Sequence, residues 1–144
     1  MLEITNLTKT KIDIKSLQKA ARAAFAVLRM KKEVSLVLVG DAKMKELNKF
    51  YRQKNQTTDV LSFEELNEIF ISLPQAKRQA REAKKSTIAE LMKLLTHGIV
   101  HLAGYDHEKS AKEAEGMFAV EKKISHKWHK IHTNVPMRIK TNKK

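Results

Sequence analysis

Hydrophobic residues recur along the chain at spacings that differ from one segment to the next, and these spacings predict the secondary structure. From Ser16 to Met30 the apolar residues follow helical spacing, which predicts an amphipathic helix. From Val34 to Val39 the chain is continuously apolar and rich in valine, and Gly40 closes the run. Such a run predicts a short strand covered on both faces. A first short strand is expected around Leu2 and Ile4.

The middle of the chain alternates between helical and strand-like patterns. Asp41 is expected to cap a second helix, whose predicted buried side consists of Met44, Leu47, Phe50 and Tyr51. Two short strands are expected at 60–63 and 69–73. Pro74 suits the first turn of a third helix, which is expected to run to about Lys85.

Two more helices complete the predicted set. Ser86, or Thr87, is expected to cap a largely apolar central helix, with Glu90 in its first turns. A last helix from about Ser110 is expected to bury Ala114, Met117, Phe118 and Ile124. The fold class is therefore α+β: a small mixed sheet of about four short strands with about five packed helices. We expect one domain over residues 1–125 and a basic, partly disordered tail over 126–144.

The charge balance indicates a class of partner. The 144 residues include 29 Lys and Arg against 16 Asp and Glu, a net charge of +13. From Lys122 to the end there are eight basic residues and no acidic ones. A basic body with a more basic tail predicts a polyanionic partner, of which nucleic acid is the commonest.

Other features of the composition restrict location and metal chemistry. No apolar run approaches the ~20 residues that span a bilayer, and residues 1–6 have no basic segment followed by an apolar stretch. We therefore expect no membrane span, no signal peptide and a cytoplasmic location. The chain has no cysteine, so any metal must be held by nitrogen and oxygen ligands.

Three histidines in one short segment carry the clearest chemical signal. His97 and His101 are four residues apart in the central helix, which places them on one side of it. Gly104 is expected to end the helix in a left-handed conformation, so that His107 returns over the same face. Three imidazoles with an open fourth position are typical of catalytic zinc, which lowers the pKa of its bound water to about 7. We predict a metal site on this helix and the turn after it.

The residue after the first histidine bears on the reaction class. In H-E-x-x-H proteases a glutamate follows the first histidine and acts as the general base, whereas Gly98 follows His97 here. Peptide hydrolysis is therefore disfavoured, and we expect the glycine to leave space over the ion for a large substrate. Three neutral ligands also leave the ion its +2 charge, which suits an anionic phosphodiester.

Two smaller features leave alternatives open. Asp106 can accept a hydrogen bond from a ligand imidazole or can serve as a turn residue. In the tail, His126, His129 and His132 recur beside Trp128. We interpret that segment as a basic, aromatic strip that contacts RNA phosphates and stacks a base, with a second metal site as the alternative.

Two segments together resemble the YbeY-type endoribonucleases, which mature ribosomal RNA in bacteria. One is His97-Gly98-x-x-His101-Leu102-x-Gly104-Tyr105-Asp106-His107. The other is Leu47-Asn48-x-x-Tyr51-Arg52-x-Lys54, leading to Thr58-Asp59-Val60-Leu61-Ser62-Phe63. The order of the elements around them fits as well, and the similarity covers about residues 1–125.

The resemblance implies a site and a substrate. It implies one divalent ion per chain, usually taken as Zn²⁺, held by His97, His101 and His107. It implies that Arg52 faces the metal across a basic groove, and it places Arg52 and Lys54 at the substrate and Arg52 and His97 in catalysis. The implied substrate is single-stranded rRNA near the 3′ end of the small-subunit rRNA. The implied partner is the ribosome, with a further role in ribosome quality control.

The chain departs from the family pattern after Phe63. Only Glu64-Glu65-Leu66 intervene where the family has a longer loop, and Asn67-Glu68-Ile69 stand in place of Gly-Asp-Ile. We assign Glu68 no catalytic role.

Several alternatives for the chemistry stay open at this point. The general base can be metal-bound hydroxide, a ligand-side histidine or the RNA 2′-OH. The alternatives to a nuclease are a ribosome-associated RNA-binding factor with a structural metal and a metallohydrolase of another substrate class.

Overall fold

The computed structural model describes the backbone of residues 1–52 and 58–134, and the side chains of residues 1–51 and 58–129. None of the described helices combines the length and the apolar character that crossing a bilayer requires.

Four strands form a single mixed sheet: β1 (Leu2–Asn6), β2 (Val34–Val39), β3 (Val60–Phe63) and β4 (Glu68–Ser72). Their order across the sheet is β1-β2-β4-β3. Strand β2 pairs in parallel with β1 and β4, and β3 is antiparallel to β4. Strand β3 therefore lies at one edge of the sheet, beside the helix that carries the first two histidines.

Five helices complete the described fold, which confirms the predicted α+β class. They are α1 (Ile14–Leu28), α2 (Asp41–Arg52), α3 (Leu73–Glu82), α4 (Thr87–Leu102) and α5 (Ala111–Asn134). Asp13, Ser72 and Ser86 cap α1, α3 and α4, because each side chain accepts a hydrogen bond from a backbone N–H three residues later. Asp41 was predicted to cap α2 but is the first residue of that helix. The carbonyl of Gly40, one residue earlier, accepts a hydrogen bond from the N–H of Met44.

The two faces of the sheet bury cores of unequal size. On one face, Leu36, Leu38 and Ile71 belong to a large core that α1, α4 and α5 complete. On the other face, a small cluster of Val39, Met44, Leu47 and Leu61 lies beneath α2. Helix α4, which carries His97 and His101, belongs to the larger core, and ten of its residues are buried.

Three aromatic residues that we expected to be buried are exposed. Phe50, Tyr51 and Phe118 have exposed fractions of 76%, 57% and 66%. Phe50 and Tyr51 lie near the end of α2, where the small cluster below the helix no longer covers them. Instead, Tyr51 packs edge-on against Phe50 and at a tilt against Phe63, with ring centroids 5.0 Å apart in each pair. Helical spacing identified α2 and α5 but not which members of each stripe reach the core.

Gly98 faces the core and does not open space at the metal, so that part of the prediction was wrong. A Cβ at this position would lie 2.9 Å from Cγ2 of Ile69 on β4. The absence of a side chain therefore allows α4 to pack closely on the sheet. The hydroxyl of Ser62 on β3 also donates to the carbonyl of Gly98 at 3.4 Å.

The substitution Gly98→Ala is expected to destabilise the protein by about 1–3 kcal/mol, because the new methyl group overpacks a closed core. Gly116→Ala is the matched control, since a Cβ there meets nothing within 4 Å. That change is expected to stabilise α5 by about 0.5–1 kcal/mol. Urea denaturation measures both free energies of unfolding, and equal effects would contradict the close-packing role.

The segment predicted as a separate tail begins inside a helix. Helix α5 continues through residue 125 to Asn134, and Trp128 is buried in the main core. Trp128 is therefore not displayed for base stacking as we had expected. His126 and His129 are exposed on the same helix. The side chain of His132 and residues 135–144 lie outside the described residues.

Candidate metal centre and the adjoining cleft

The end of α4 and the turn after it place the three predicted histidines together. His97 and His101 stand one turn apart on α4, which ends at Leu102, and the carbonyl of His101 accepts from the N–H of Gly104 at 2.9 Å. Gly104 has a φ of +103°, a region that side chains disfavour. This reversal returns the chain and brings His107 over the same face, as the spacing predicted.

The three imidazoles converge on one point. One ring nitrogen from each of His97, His101 and His107 lies within 4.8 Å of the other two. The ring centroids are 4.9 Å apart for His97 and His101, 5.4 Å for His97 and His107, and 5.3 Å for His101 and His107. His107 is exposed and the other two are half-buried, so the cluster opens to solvent on the His107 side.

This cluster fits a single divalent ion. A zinc ion binds imidazole nitrogen at about 2.0–2.1 Å, so nitrogens this close need at most small side-chain rotations to share one. Among the described side chains, the cluster has three members and no fourth His, Asp or Glu joins it. In the rest of the chain His132 is the one residue that offers such a ligand, since residues 52–57 and 130–144 hold no other His, Cys, Asp or Glu. A site with three protein ligands is the catalytic type.

Glu121 on α5 contacts the His97 ring, and it was not identified from the sequence. Its Oε2 lies 2.5 Å from Nδ1 of His97. A carboxylate only accepts, so the ring carries a proton on Nδ1, and Nε2 is the nitrogen available to a metal ion. A hydrogen bond from a ligand histidine to a carboxylate fixes the ring and raises its basicity. Asp106, the candidate for this role, instead accepts from the backbone N–H of Glu108, as a turn residue does.

A signal for Glu121 was present in the last helix. Met117, Ile124 and Trp128 form the buried stripe of α5 at helical spacing, and Glu121 occupies the position between the first two. A carboxylate in an apolar stripe needs a partner. Which partner it finds depends on how α5 crosses α4, and spacing within one helix does not carry that information.

Burial in the cluster keeps His101 neutral. Desolvation by burial lowers the pKa of His101 below its ordinary value of 6.5, and the neighbouring His97 and His107 lower it further. Asp106 and a backbone hydrogen bond involving Tyr105 act in the opposite direction but are weaker. Because metals bind neutral imidazole, this shift favours the ligand form of His101 at neutral pH.

The lowered pKa gives a predicted pH dependence for the metal-free protein. Between the unfolded-state pKa of about 6.5 and the lower folded-state pKa, the unfolded chain binds more protons at His101 than the folded chain. Stability is therefore unaffected by this group above pH 6.5 and falls as the pH drops through the folded-state pKa. Urea denaturation in the presence of chelator, from pH 8 to 5, measures this loss in the free energy of unfolding. His101→Gln should make the loss smaller, whereas His126→Gln should leave it unchanged.

The remaining predicted site residues lie apart from the cluster or outside the described side chains. Arg52 is the last residue of α2, but its side chain is not described, and Lys54 lies wholly outside the described residues. The predicted roles of both therefore stay predictions. Glu68 begins β4 after a tight turn at Asn67, whose φ is +52°, and Glu68 is not part of the histidine cluster.

A cleft of about 470 Å³ adjoins the metal cluster, and His97 and Glu121 form part of its wall. Leu94, Phe118 and Trp128 are among the apolar residues that line it. At another part of the wall lies Glu90, which is buried. Burial alone would raise the pKa of Glu90, but hydrogen bonds from Lys85 and Gln79 and the charges of Lys85 and Lys93 lower it. The cleft therefore contains a buried carboxylate that is ionised at neutral pH.

The chain is similar to proteins of one family over most of its length. A family model described as Endoribonuclease YbeY matches residues 3–129. An Endoribonuclease YbeY from Aquifex aeolicus is 39% identical over 137 residues, which cover 88% of this chain and 91% of the relative. One from Persephonella marina is 44% identical over 103 residues, which cover 64% of this chain and 67% of the relative.

A solved structure is similar to this chain over its whole length. The solution structure of a protein from Thermotoga maritima has a TM-score of 0.69 and 29% sequence identity, and the match covers 100% of this chain and 99% of that one. The family match includes all three clustered histidines, Glu121 and, except for Leu2, every strand of the sheet. The chain therefore belongs to the YbeY family of endoribonucleases.

Proposed function

We propose that this protein is a metal-dependent endoribonuclease that cuts single-stranded RNA. The observation that carries the proposal is the cluster of three imidazoles with one side open to solvent. The names of the family's relatives support the reaction class, and the net charge of +13 supports a polyanionic substrate. We further propose maturation of the small-subunit rRNA 3′ end and ribosome quality control as its role, with the ribosome as partner, in the cytoplasm.

Each residue at the cluster has a separate role in the proposed site. His97, His101 and His107 would hold one ion, most simply Zn²⁺, which when bound would polarise the scissile phosphate and supply or orient the nucleophile. Glu121 holds His97 in the tautomer that presents Nε2. The burial of His101 keeps that ring neutral, and the exposure of His107 leaves an approach for a large substrate.

Arg52 has the role of phosphate clamp in this proposal. Its guanidinium can bind a phosphate through two parallel hydrogen bonds and stabilise the charge that builds up on the transferred group. It ends α2, and the segment that follows leads into β3, the edge strand beside α4.

The proposal is tested by RNA cleavage with purified, zinc-loaded protein. We expect cleavage of a single-stranded RNA, none of the same sequence in a duplex, none of casein, and loss of activity with a chelator. If the protein binds metal but cleaves neither naked rRNA nor small ribosomal subunits, it is instead an RNA-binding factor with a structural metal. Cleavage of casein would indicate a metallohydrolase of another class.

The role of Arg52 has its own expected result. Arg52→Ala should lower kcat/KM for single-stranded RNA by about 100-fold or more, since removal of one preorganised donor to a transition state costs about 10²–10³ in rate. Lys49→Ala is the matched control, because Lys49 is an exposed cation one turn earlier on α2. Equal losses in the two variants would show that only the net charge of α2 matters.

A further inference from the structure

We propose that the cleft beside the metal cluster is a nucleobase-binding subsite, and that it favours a base with an exocyclic amino group, such as cytosine, over uracil. This inference rests on the proposed function, since it names the part of an RNA strand that the cleft receives. Four observations carry it: the position of the cleft, its charges, a buried acceptor and the apolar side chains of its wall.

The cleft begins one imidazole ring away from the metal position. The Nδ1 edge of His97 contacts Glu121, and both residues line the cleft. His97 is also a member of the cluster with His101 and His107. A nucleotide whose phosphate lies at the cluster therefore has the cleft within reach of its own base or of a neighbouring base.

The charges of the cleft favour a base over a phosphate. Its lining contains three carboxylates, from Asp59, Glu90 and Glu121, and two ammonium groups, from Lys93 and Lys122. The two lysines are exposed, whereas Glu90 is buried. Buried negative charge repels a phosphate but accepts hydrogen bonds from a neutral ring. The volume of about 470 Å³ leaves room for a base together with its sugar.

Glu90 is a preorganised acceptor for an amino group. Its Oε1 lies 3.0 Å from Nζ of Lys85, and its Oε2 accepts from Nε2 of Gln79 at 2.7 Å. A carboxylate has about four lone-pair sites, so each oxygen keeps one free. Cytosine presents an N4 amino donor that carboxylates accept from, whereas uracil has a carbonyl at the same position. A uracil in this orientation would place its oxygen against the carboxylate.

Trp128 adds an apolar surface to the wall of the cleft. Only 6% of Trp128 is exposed, it lines the cleft, and its indole N–H has no hydrogen-bond partner among the described residues. An indole N–H can only donate, and buried polar groups in native proteins are nearly always paired. That nitrogen has almost no exposed surface, so a base in the cleft contacts the apolar part of the indole. The apolar Leu94 and Phe118 provide surfaces against which the ring can pack.

The test uses Trp128 as its own reporter, because it is the one tryptophan of the chain. Zinc-loaded protein is titrated with hexamers of 2′-O-methyl cytidine or 2′-O-methyl uridine, which lack the free 2′-OH, while the fluorescence of Trp128 is followed. We expect a saturable change with both oligomers and about tenfold tighter binding of the cytidine oligomer, the value of one hydrogen bond to a charged acceptor.

Variants that fill the cleft provide the control. Ser125→Phe places a ring in the cleft from α5 and should abolish the preference, whereas His126→Phe adds the same ring at an exposed neighbour outside it and should retain the preference. If Ser125→Phe does not fold, Val60→Phe fills the cleft from β3 and replaces it. Equal affinity for the two oligomers in the unmodified protein, or an unchanged preference in the filled variant, would overturn the proposal.

The two proposals fail separately in this design. Selective binding of cytidine oligomers without any cleavage of single-stranded RNA would leave the subsite standing and refute the proposed nuclease function. Cleavage of single-stranded RNA without selective binding would refute the subsite and leave the nuclease function intact.

Discussion

Replacing His101 with alanine is expected to remove the bound metal and to lower cleavage of single-stranded RNA by at least about a thousandfold. Desolvation by burial lowers the pKa of His101, and the other two histidines approach it from α4 and from the turn. Two remaining imidazoles do not make a stable zinc site. The ion's charge stabilisation is worth several kcal/mol, and about 4 kcal/mol corresponds to a thousandfold in rate.

The control for this result is His126→Ala. His126 is exposed on α5 and lies outside the cluster, so its loss should leave metal content and activity within about twofold of the unmodified protein, as is usual for surface changes. Metal content by elemental analysis and initial rates on the same RNA measure both effects. Full activity of metal-free His101→Ala would show that the imidazole cluster is not the reaction centre.

Replacing Glu121 with alanine is expected to weaken metal binding by about 10–100-fold, the usual cost of losing a carboxylate behind a ligand histidine. In the unmodified protein this carboxylate sets both the tautomer and the orientation of the His97 ring. Glu121→Gln should give a smaller loss, because an amide oxygen can still accept from Nδ1 but carries no charge. Competition with a chromogenic chelator measures the affinity of each variant.

Glu115→Ala is the matched control for Glu121. It removes an exposed carboxylate from the same helix, so it changes the net charge equally without touching His97. An affinity for zinc that is the same in Glu121→Ala as in Glu115→Ala would mean that the contact between α5 and His97 does not orient the ligand.

The parts of the fold that sequence patterns predicted are those in which local preference and tertiary packing agree. The valine-rich run 34–39 forms β2 with the predicted bounds, because its residues suit a strand that is buried among neighbours. Ser86 caps α4 as expected, since a serine oxygen satisfies a backbone N–H wherever the helix is packed. The turn that brings His107 back over α4 was also predicted from a local rule, since Gly104 has the positive φ expected of a glycine that ends a helix.

The parts that could not be predicted depend on contacts between distant elements. Gly98 was interpreted from its neighbour His97, but its role is set by Ile69 on β4. Phe118 follows Ala114 of the predicted stripe at helical spacing and yet remains exposed at the cleft. Glu121 and Trp128 gain their significance from the crossing of α4 and α5. Periodicity in one segment identifies a buried stripe but not the residues that it meets.

The account depends most on three imidazoles sharing one ion with no fourth protein ligand. X-ray absorption spectroscopy of the zinc-loaded protein, at a measured metal content, tests this directly. We predict one zinc per chain with three imidazole nitrogens at about 2.0–2.1 Å and no further nitrogen or carboxylate from the protein. A zinc site closed by four protein ligands, or a protein that retains no stoichiometric metal, would contradict it.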